Sequence, residues 1–173
     1  MKISQIRAVL VATPPALEAL LKDLPESLTL RNEGGATWSA RDIVAHLVHG
    51  ELEDWVPRAE LILAEGTARP FDPFDPEGFR PLARGQQLIA LVKRFAALRR
   101  EGLTWLDKQA FTDEQLALRG THPAFGEVTM HELLCTWATH DLTHLAQISR
   151  VISHQIAPHI GPWREYLPNA RKR

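Results

Sequence analysis

The chain has 173 residues, of which 45% are hydrophobic and 24% charged, and its formal charge is −1 at pH 7. These values are typical of one ordinary globular domain and argue against a general nucleic-acid binder, which needs a basic surplus to contact phosphates. A single cysteine, Cys135, excludes an intramolecular disulfide framework and a multi-cysteine zinc site. Because eight histidines accompany it, any metal ion must be held by imidazole and carboxylate groups.

No targeting signal or membrane segment is visible in the sequence. Gln5 and Arg7 interrupt the apolar residues near the N-terminus, and no stretch approaches the roughly 20 apolar residues of a membrane span. We therefore expect a cytoplasmic protein that has neither a membrane nor a nucleic-acid partner.

The first predicted helix spans about residues 3–23, where apolar side chains recur every three or four positions. Pro14 and Pro15 lack the amide hydrogens that a helix interior needs, so we expect them to break this helix into two pieces. The second predicted helix follows the cap residue Ser39 and extends to about Ala64.

Pro57 is expected to kink the second helix or to end its first half. The third helix is expected over about residues 85–108, and the fourth from the cap residue Thr129 to about Ser153, in two long windows without proline. No segment has a convincing strand alternation or a strong hairpin signal. The charged residues of the third helix are interpreted as a solvated face: Lys93, Arg94, Arg99, Arg100 and Glu101.

Four long helices predict an all-α protein with a four-helix bundle. The link between the second and third helices, about residues 66–84, is rich in proline and phenylalanine and is long enough to run the length of the bundle. Such a crossover would make these two helices parallel. We expect one domain over residues 1–167 and a basic tail at residues 168–173.

His140 and His144 are four residues apart on the fourth predicted helix, which places them about 40° apart and one turn along. Both lie within the apolar stripe that includes Trp137, so both imidazoles face the bundle interior. Burial of two imidazoles is costly unless their nitrogens find partners, and one metal ion would satisfy both. Two core histidines bonded to backbone or water would explain the pair equally well.

A third ligand must come from another helix. His46 lies on the inward side of the second predicted helix, whereas His49 lies about 60° away from it. The pattern favours His46 as a ligand, and His49 as either a rim residue or a partly exposed surface histidine. Three imidazoles leave coordination positions open, which suits a catalytic site that activates water or a substrate thiol.

The remaining histidines and the cysteine are not assigned to this site. His131 and Cys135 face away from His140 on the same helix, and Cys135 is interpreted as a small packed residue. His122, His154 and His159 are expected to be exposed or to cap local structure.

Four segments together resemble the DinB/YfiT-like metalloenzyme family. They are residues 38–47, which read Trp-Ser-Ala-Arg-Asp-Ile-Val-Ala-His-Leu, and residues 122–129, 140–148 and 161–167. The order and lengths of the predicted helices also agree with that family over about residues 3–167.

The resemblance implies an up-down-down-up bundle, often a homodimer, with a divalent ion, commonly nickel or zinc, on His46, His140 and His144. Some relatives are transferases that use a low-molecular-weight thiol. We therefore expect a metal-dependent transferase or hydrolase that acts on a small-molecule substrate by activating a thiol or water. The alternative is a non-catalytic dimeric bundle with a structural metal or a buried histidine network, as in a stress-response module.

Two polar residues are weak candidates for a catalytic role. Glu53 lies about 20° from His46, and Gln147 about 20° from His140, around their respective helices. Either residue could orient a ligand or accept a proton, and either could equally be a polar residue near the end of the bundle.

Overall fold

The computed structural model describes residues 1–170. In chain order its helices and strands are α1 (Ile3–Leu21), α2 (Glu26–Thr29), α3 (Ala40–Glu53), α4 (Trp55–Glu65), α5 (Arg80–Ala83), α6 (Leu88–Gln109), α7 (Asp113–Leu116), β1 (Arg119–His122), β2 (Gly126–Thr129) and α8 (Met130–Ile156). Three short 3₁₀ turns follow, Ala157–His159, Gly161–Tyr166 and Pro168–Ala170. No helix within this part of the chain is long and apolar enough to cross a membrane.

The long helices form a four-helix bundle in which the α3–α4 segment runs parallel to α6. Glu51 of α3 contacts Arg99 of α6, and farther along both helices Glu60 contacts Trp105. The crossover between them, residues 66–87, therefore returns the chain to the same end of the bundle. This arrangement confirms the expected all-α bundle with a long crossover.

The other two long helices complete the up-down-down-up order. Arg7 near the start of α1 pairs with Asp107 near the end of α6, so these helices are antiparallel. At the same end, the His131 imidazole in the first turn of α8 donates to the Met1 carbonyl oxygen, so α1 and α8 are parallel. The boundary expected at residue 167 stays a prediction, and residues 171–173 of the predicted tail lie outside the described residues.

The expected break of the first helix is wrong, because α1 is continuous through Pro14 and Pro15. In a regular helix the Leu10 carbonyl would accept from the amide of residue 14, which proline lacks. Here Arg99 Nη1 of α6 donates to the Leu10 carbonyl oxygen at 3.0 Å. A partner from another helix therefore replaces the missing hydrogen bond.

The second predicted helix divides at Asp54, whose φ of −110° and ψ of −71° separate α3 from α4. Pro57 is the third residue of α4, and amides in the first turn of a helix have no acceptor within the helix, so the missing amide hydrogen of Pro57 costs no helical hydrogen bond there. The expectation that Pro57 ends the first half is confirmed, and the break lies one turn earlier than the proline itself.

The interpretation of Arg99 as part of a solvated face is wrong, because its residue exposure is 1%. It lies one turn after the buried Phe95 and makes paired hydrogen bonds with Glu51 and with Asp141. Burial alone would lower the pKa of Arg99, but its hydrogen bonds to Asp141 and Glu51 raise it. We call Arg99, Glu51 and Asp141 the Arg99 network.

The absence of strands is also a wrong expectation, since β1 and β2 form a small antiparallel hairpin with Arg119 opposite Thr129. Gly126, at a φ of +76°, closes its turn in a conformation that favours glycine. Gly120 packs so closely against α4 and the crossover that a Cβ there would lie 2.7 Å from Ile62 and Phe71 side-chain atoms. The hairpin is thereby fixed to the end of the bundle.

Candidate metal centre and its cavity

Two capped helices bring His46, His140 and His144 together, and we call these residues the three-histidine cluster. Ser39 caps α3 by accepting a hydrogen bond from the Asp42 amide, and Thr129 caps α8 in the same way. One ligand atom from each histidine lies within 4.8 Å of the others. The structure thus brings together the three residues that the sequence selected.

The spacing of the Nε2 atoms suits a single metal ion. His140 Nε2 lies 3.1 Å from His46 Nε2 and 3.0 Å from His144 Nε2. Two imidazole nitrogens bound to one ion at about 2.1 Å are roughly 3.0–3.4 Å apart at ordinary coordination angles. These two distances therefore fit the binding of one divalent cation.

Hydrogen bonds fix the tautomers of two of these imidazoles. His46 Nδ1–H donates to the Pro76 carbonyl oxygen at 3.3 Å, and His144 Nδ1–H donates to Gln147 Oε1 at 2.8 Å. Both Nε2 atoms then carry lone pairs that face His140. A single Nε2–H on His140 could satisfy only one of them, and a cation satisfies both.

Burial keeps the cluster neutral at pH 7. Burial, followed by the charge of His144, lowers the pKa of His46 to about 4 and that of His140 to about 3. Burial also lowers the pKa of His144, although the hydrogen bond that it donates to Gln147 raises it. Neutral imidazoles are the form that binds a metal ion.

Aromatic rings surround the cluster. Trp38 lies against His46 with ring centroids 4.7 Å apart, and its Nε1–H donates to Glu77 of the crossover. Trp55 meets His140 edge-on at 5.0 Å and stacks on Trp137. These rings limit both the movement of the imidazoles and their access to bulk water.

The three histidines of the cluster line a cavity of about 730 Å³. Its walls come from α3–α4, the crossover, β1–β2 and the first half of α8. This volume suits a drug-sized small molecule. Its mostly apolar lining contains one buried ion pair, between Asp54 and Arg58.

The other polar residues selected from the sequence differ in their position relative to the three-histidine cluster. Gln147 lies beside the cluster and orients His144, whereas Glu53 is exposed and is not among the residues that line the cavity. His49 Nε2 contacts the Asp75 carbonyl oxygen at 3.1 Å and therefore supports the crossover.

The expectation for three outlying histidines and the cysteine can also be compared with the structure. His122 Nδ1 accepts from the backbone amide of Ala124, so it caps the hairpin turn as expected, and its ring also lines the outer cavity. His154 and His159 are exposed. Cys135 is half-buried beside His131 and away from the cavity lining.

Sequence reasoning missed the Pro76 carbonyl, Asp54 and Arg58 as parts of this site. The carbonyl leaves no signal in a sequence, because any residue could supply it. Asp54 and Arg58 have the four-residue spacing of a helical ion pair, which indicates a pair but not its burial. Their place in a cavity wall follows from the hairpin, which the sequence did not predict.

Comparison with known proteins agrees with this architecture. Residues 10–148 match the sequence model of the DinB superfamily. No curated protein has a significant match. Among solved structures, the chain is similar to YfiT from Bacillus subtilis, with a TM-score of 0.75 and 20% identity over 87% of each chain. That protein is described as a probable metal-dependent hydrolase with an unusual four-helix bundle topology.

Proposed function

Because the chain belongs to the DinB superfamily, we propose that it is a metal-dependent enzyme whose three-histidine cluster holds one divalent ion, nickel or zinc. The observation that carries this proposal is the convergence of three Nε2 atoms, two with fixed tautomers, in the lining of a large cavity. The substrate would be a small molecule that enters this cavity. A homodimer in the cytoplasm is part of the same proposal.

The protein residues have distinct roles in this proposal. His46, His140 and His144 bind the ion, while Pro76 and Gln147 hold two of the imidazoles in place. A bound ion of this kind lowers the pKa of a coordinated water or thiol and polarises a carbonyl group. The aromatic walls limit the access of bulk water, which strengthens the electrostatic interactions within the site.

Water is the nucleophile that we favour, in line with the description of YfiT as a probable metal-dependent hydrolase. A transferase reaction would need a low-molecular-weight thiol as cosubstrate. The thiol must come from outside the chain, because the single cysteine does not line the cavity.

Metal analysis of protein purified without a histidine tag tests the proposal. We expect close to one nickel or zinc ion per chain after titration, and less than about a tenth of this for His46→Ala, His140→Ala or His144→Ala. His49→Ala is the matched control, since it lies on the same helix as His46 and bonds to the crossover. Failure of the wild type to take up an ion would refute the proposal.

A cobalt-substituted protein separates a catalytic site from a structural one. An open site lets azide bind to the ion and change the visible absorption of cobalt, whereas a closed site does not. We expect azide to shift the spectrum of the wild type. An unchanged spectrum would favour the non-catalytic structural-metal alternative.

A further inference from the structure

The cavity has a second polar position at a distance from the three-histidine cluster. Asp54 is eight residues after His46, which corresponds to about 12 Å along α3, and Arg58 lies one turn beyond Asp54 in α4. Both line the same cavity as the cluster. A molecule that reaches from one position to the other is therefore elongated.

The Arg58 guanidinium is only partly engaged by the protein. Its Nη1 lies 2.8 Å from Asp54 Oδ1, yet within residues 1–170 no donor is oriented to hydrogen-bond that oxygen. Nη2 reaches the Asp72 carbonyl oxygen only at 3.4 Å. The Asp54 carboxylate thus balances the charge of Arg58 while leaving N–H groups for another partner.

The surroundings of Arg58 are aromatic. Its guanidinium lies over the Phe71 ring, 5.2 Å from the centroid, and Phe71 meets the His122 ring edge-on. His122 and Phe125 stack with centroids 4.4 Å apart and planes 17° apart, and Phe125 is 79% exposed at the hairpin tip. These rings offer a flat apolar surface beside a cation.

Packing alone does not account for this arrangement. The side chains of Arg58 and Asp54 are only 11% and 10% exposed, and burying an ion pair costs more free energy than packing apolar groups of the same size. Arginine in an apolar cavity is suited to binding a planar anion through two parallel N–H groups. The charge and the stacked rings together indicate the ligand.

We propose that the cavity binds a flat, largely apolar molecule that carries one carboxylate or sulfonate, with Arg58 binding the anionic group. Arg58 is then the residue that determines substrate specificity. The assignment of this molecule as the substrate rests on the proposed function, whereas the anion-binding role of Arg58 can be tested without metal.

Two fluorescent probes test the proposal in chelator-treated protein. 8-Anilinonaphthalene-1-sulfonate and N-phenyl-1-naphthylamine share an aromatic body, and only the first carries a sulfonate. We expect Arg58→Gln to weaken binding of the sulfonate at least tenfold and to leave binding of the neutral probe within twofold. Arg58→Lys should give an intermediate loss, because it keeps the charge and loses the paired N–H groups.

Arg80→Gln is the matched control. Arg80 also lies over a phenylalanine ring, that of Phe79, and pairs with Glu77, but it does not line the cavity. We expect it to bind both probes like the wild type. Asp54→Asn should strengthen binding of the sulfonate severalfold, because it removes the carboxylate that competes for Arg58.

If Arg58→Gln weakened the binding of both probes equally, Arg58 would be only a structural part of the cavity wall, and the proposal would be overturned. Failure of the wild type to bind either probe would overturn it as well. Neither result bears on metal uptake by the three-histidine cluster. Likewise, absence of metal uptake would refute the proposed function and leave the probe result intact.

Discussion

Replacement of Arg99 by methionine should destabilise the protein strongly. Arg99 donates to Glu51, to Asp141 and to the Leu10 carbonyl oxygen, and the side chains of all three network members are at most 2% exposed. Removing one partner of a buried ion pair leaves an uncompensated charge, which costs about 3–5 kcal/mol. We expect the free energy of unfolding at pH 7 to fall by about this amount.

The loss of stability in Arg99→Met should depend on pH in a defined direction. Burial raises the pKa of Glu51, and the hydrogen bonds from Arg99 oppose this rise, so its pKa increases further when Arg99 is removed. A carboxyl whose pKa is higher in the folded than in the unfolded state favours folding at low pH and loses that contribution as the pH rises. The deficit of Arg99→Met relative to wild type should therefore be smaller at pH 5 than at pH 8.

Urea unfolding followed by circular dichroism at pH 5, 7 and 8 measures these differences. Arg7→Met is the control, because its exposed pair with Asp107 joins α1 to α6, the two helices that the Arg99–Leu10 hydrogen bond also joins. It should have a small, nearly pH-independent effect. Adding Glu51→Gln and Asp141→Asn to Arg99→Met should recover at least half of the lost stability. A loss no larger than that of Arg7→Met would refute the reasoning.

Three further predictions concern the site and the hairpin. Gln147→Leu removes the acceptor of His144 Nδ1–H and should weaken zinc binding about 10–100-fold by calorimetry, with Gln155→Leu on the same helix as an unaffected control. Gly120→Ala places a Cβ 2.7 Å from two side chains and should lower the thermal midpoint, whereas Gly126→Asn, which tolerates a positive φ, should change it little. In metal-free protein, the low pKa values of His46 and His140 should make the free energy of unfolding fall as the pH drops from 6.5 toward 4, because the unfolded state takes up more protons than the folded state. His140→Asn should reduce this dependence, which urea titrations at several pH values measure.

Helical periodicity predicts most of this fold because each long helix has an apolar stripe, and because Ser39 and Thr129 cap the starts of α3 and α8. Thr129 and Glu132 mark the start of α8, and the stripe places His140 and His144 toward the interior, as the structure has them. The inward position of two of the three ligands could therefore be predicted from one helical face. The resemblance to a known family gave the same three residues.

The errors arose where a distant partner compensates for a local irregularity. Nothing near Pro14 in the sequence shows that Arg99 will take over the Leu10 carbonyl. Nothing near Arg99 shows that two carboxylates from other helices will neutralise it. The hairpin was missed because its strands have four residues each and owe their place to packing of Gly120 rather than to alternation.

These compensations also support the site. Asp141 of the Arg99 network is the neighbour of His140 in α8, and Glu51 lies five residues after His46 in α3. The network therefore joins the two helices that carry the three-histidine cluster, and through Arg99 it also joins α6 and α1. Because Arg99 and Asp141 are joined by two hydrogen bonds, rotation or sliding of α8 would break this pair. We infer that the buried charges serve mainly to set the relative position of the helices, since replacement of a buried ion pair by apolar residues of similar size is often neutral or stabilising.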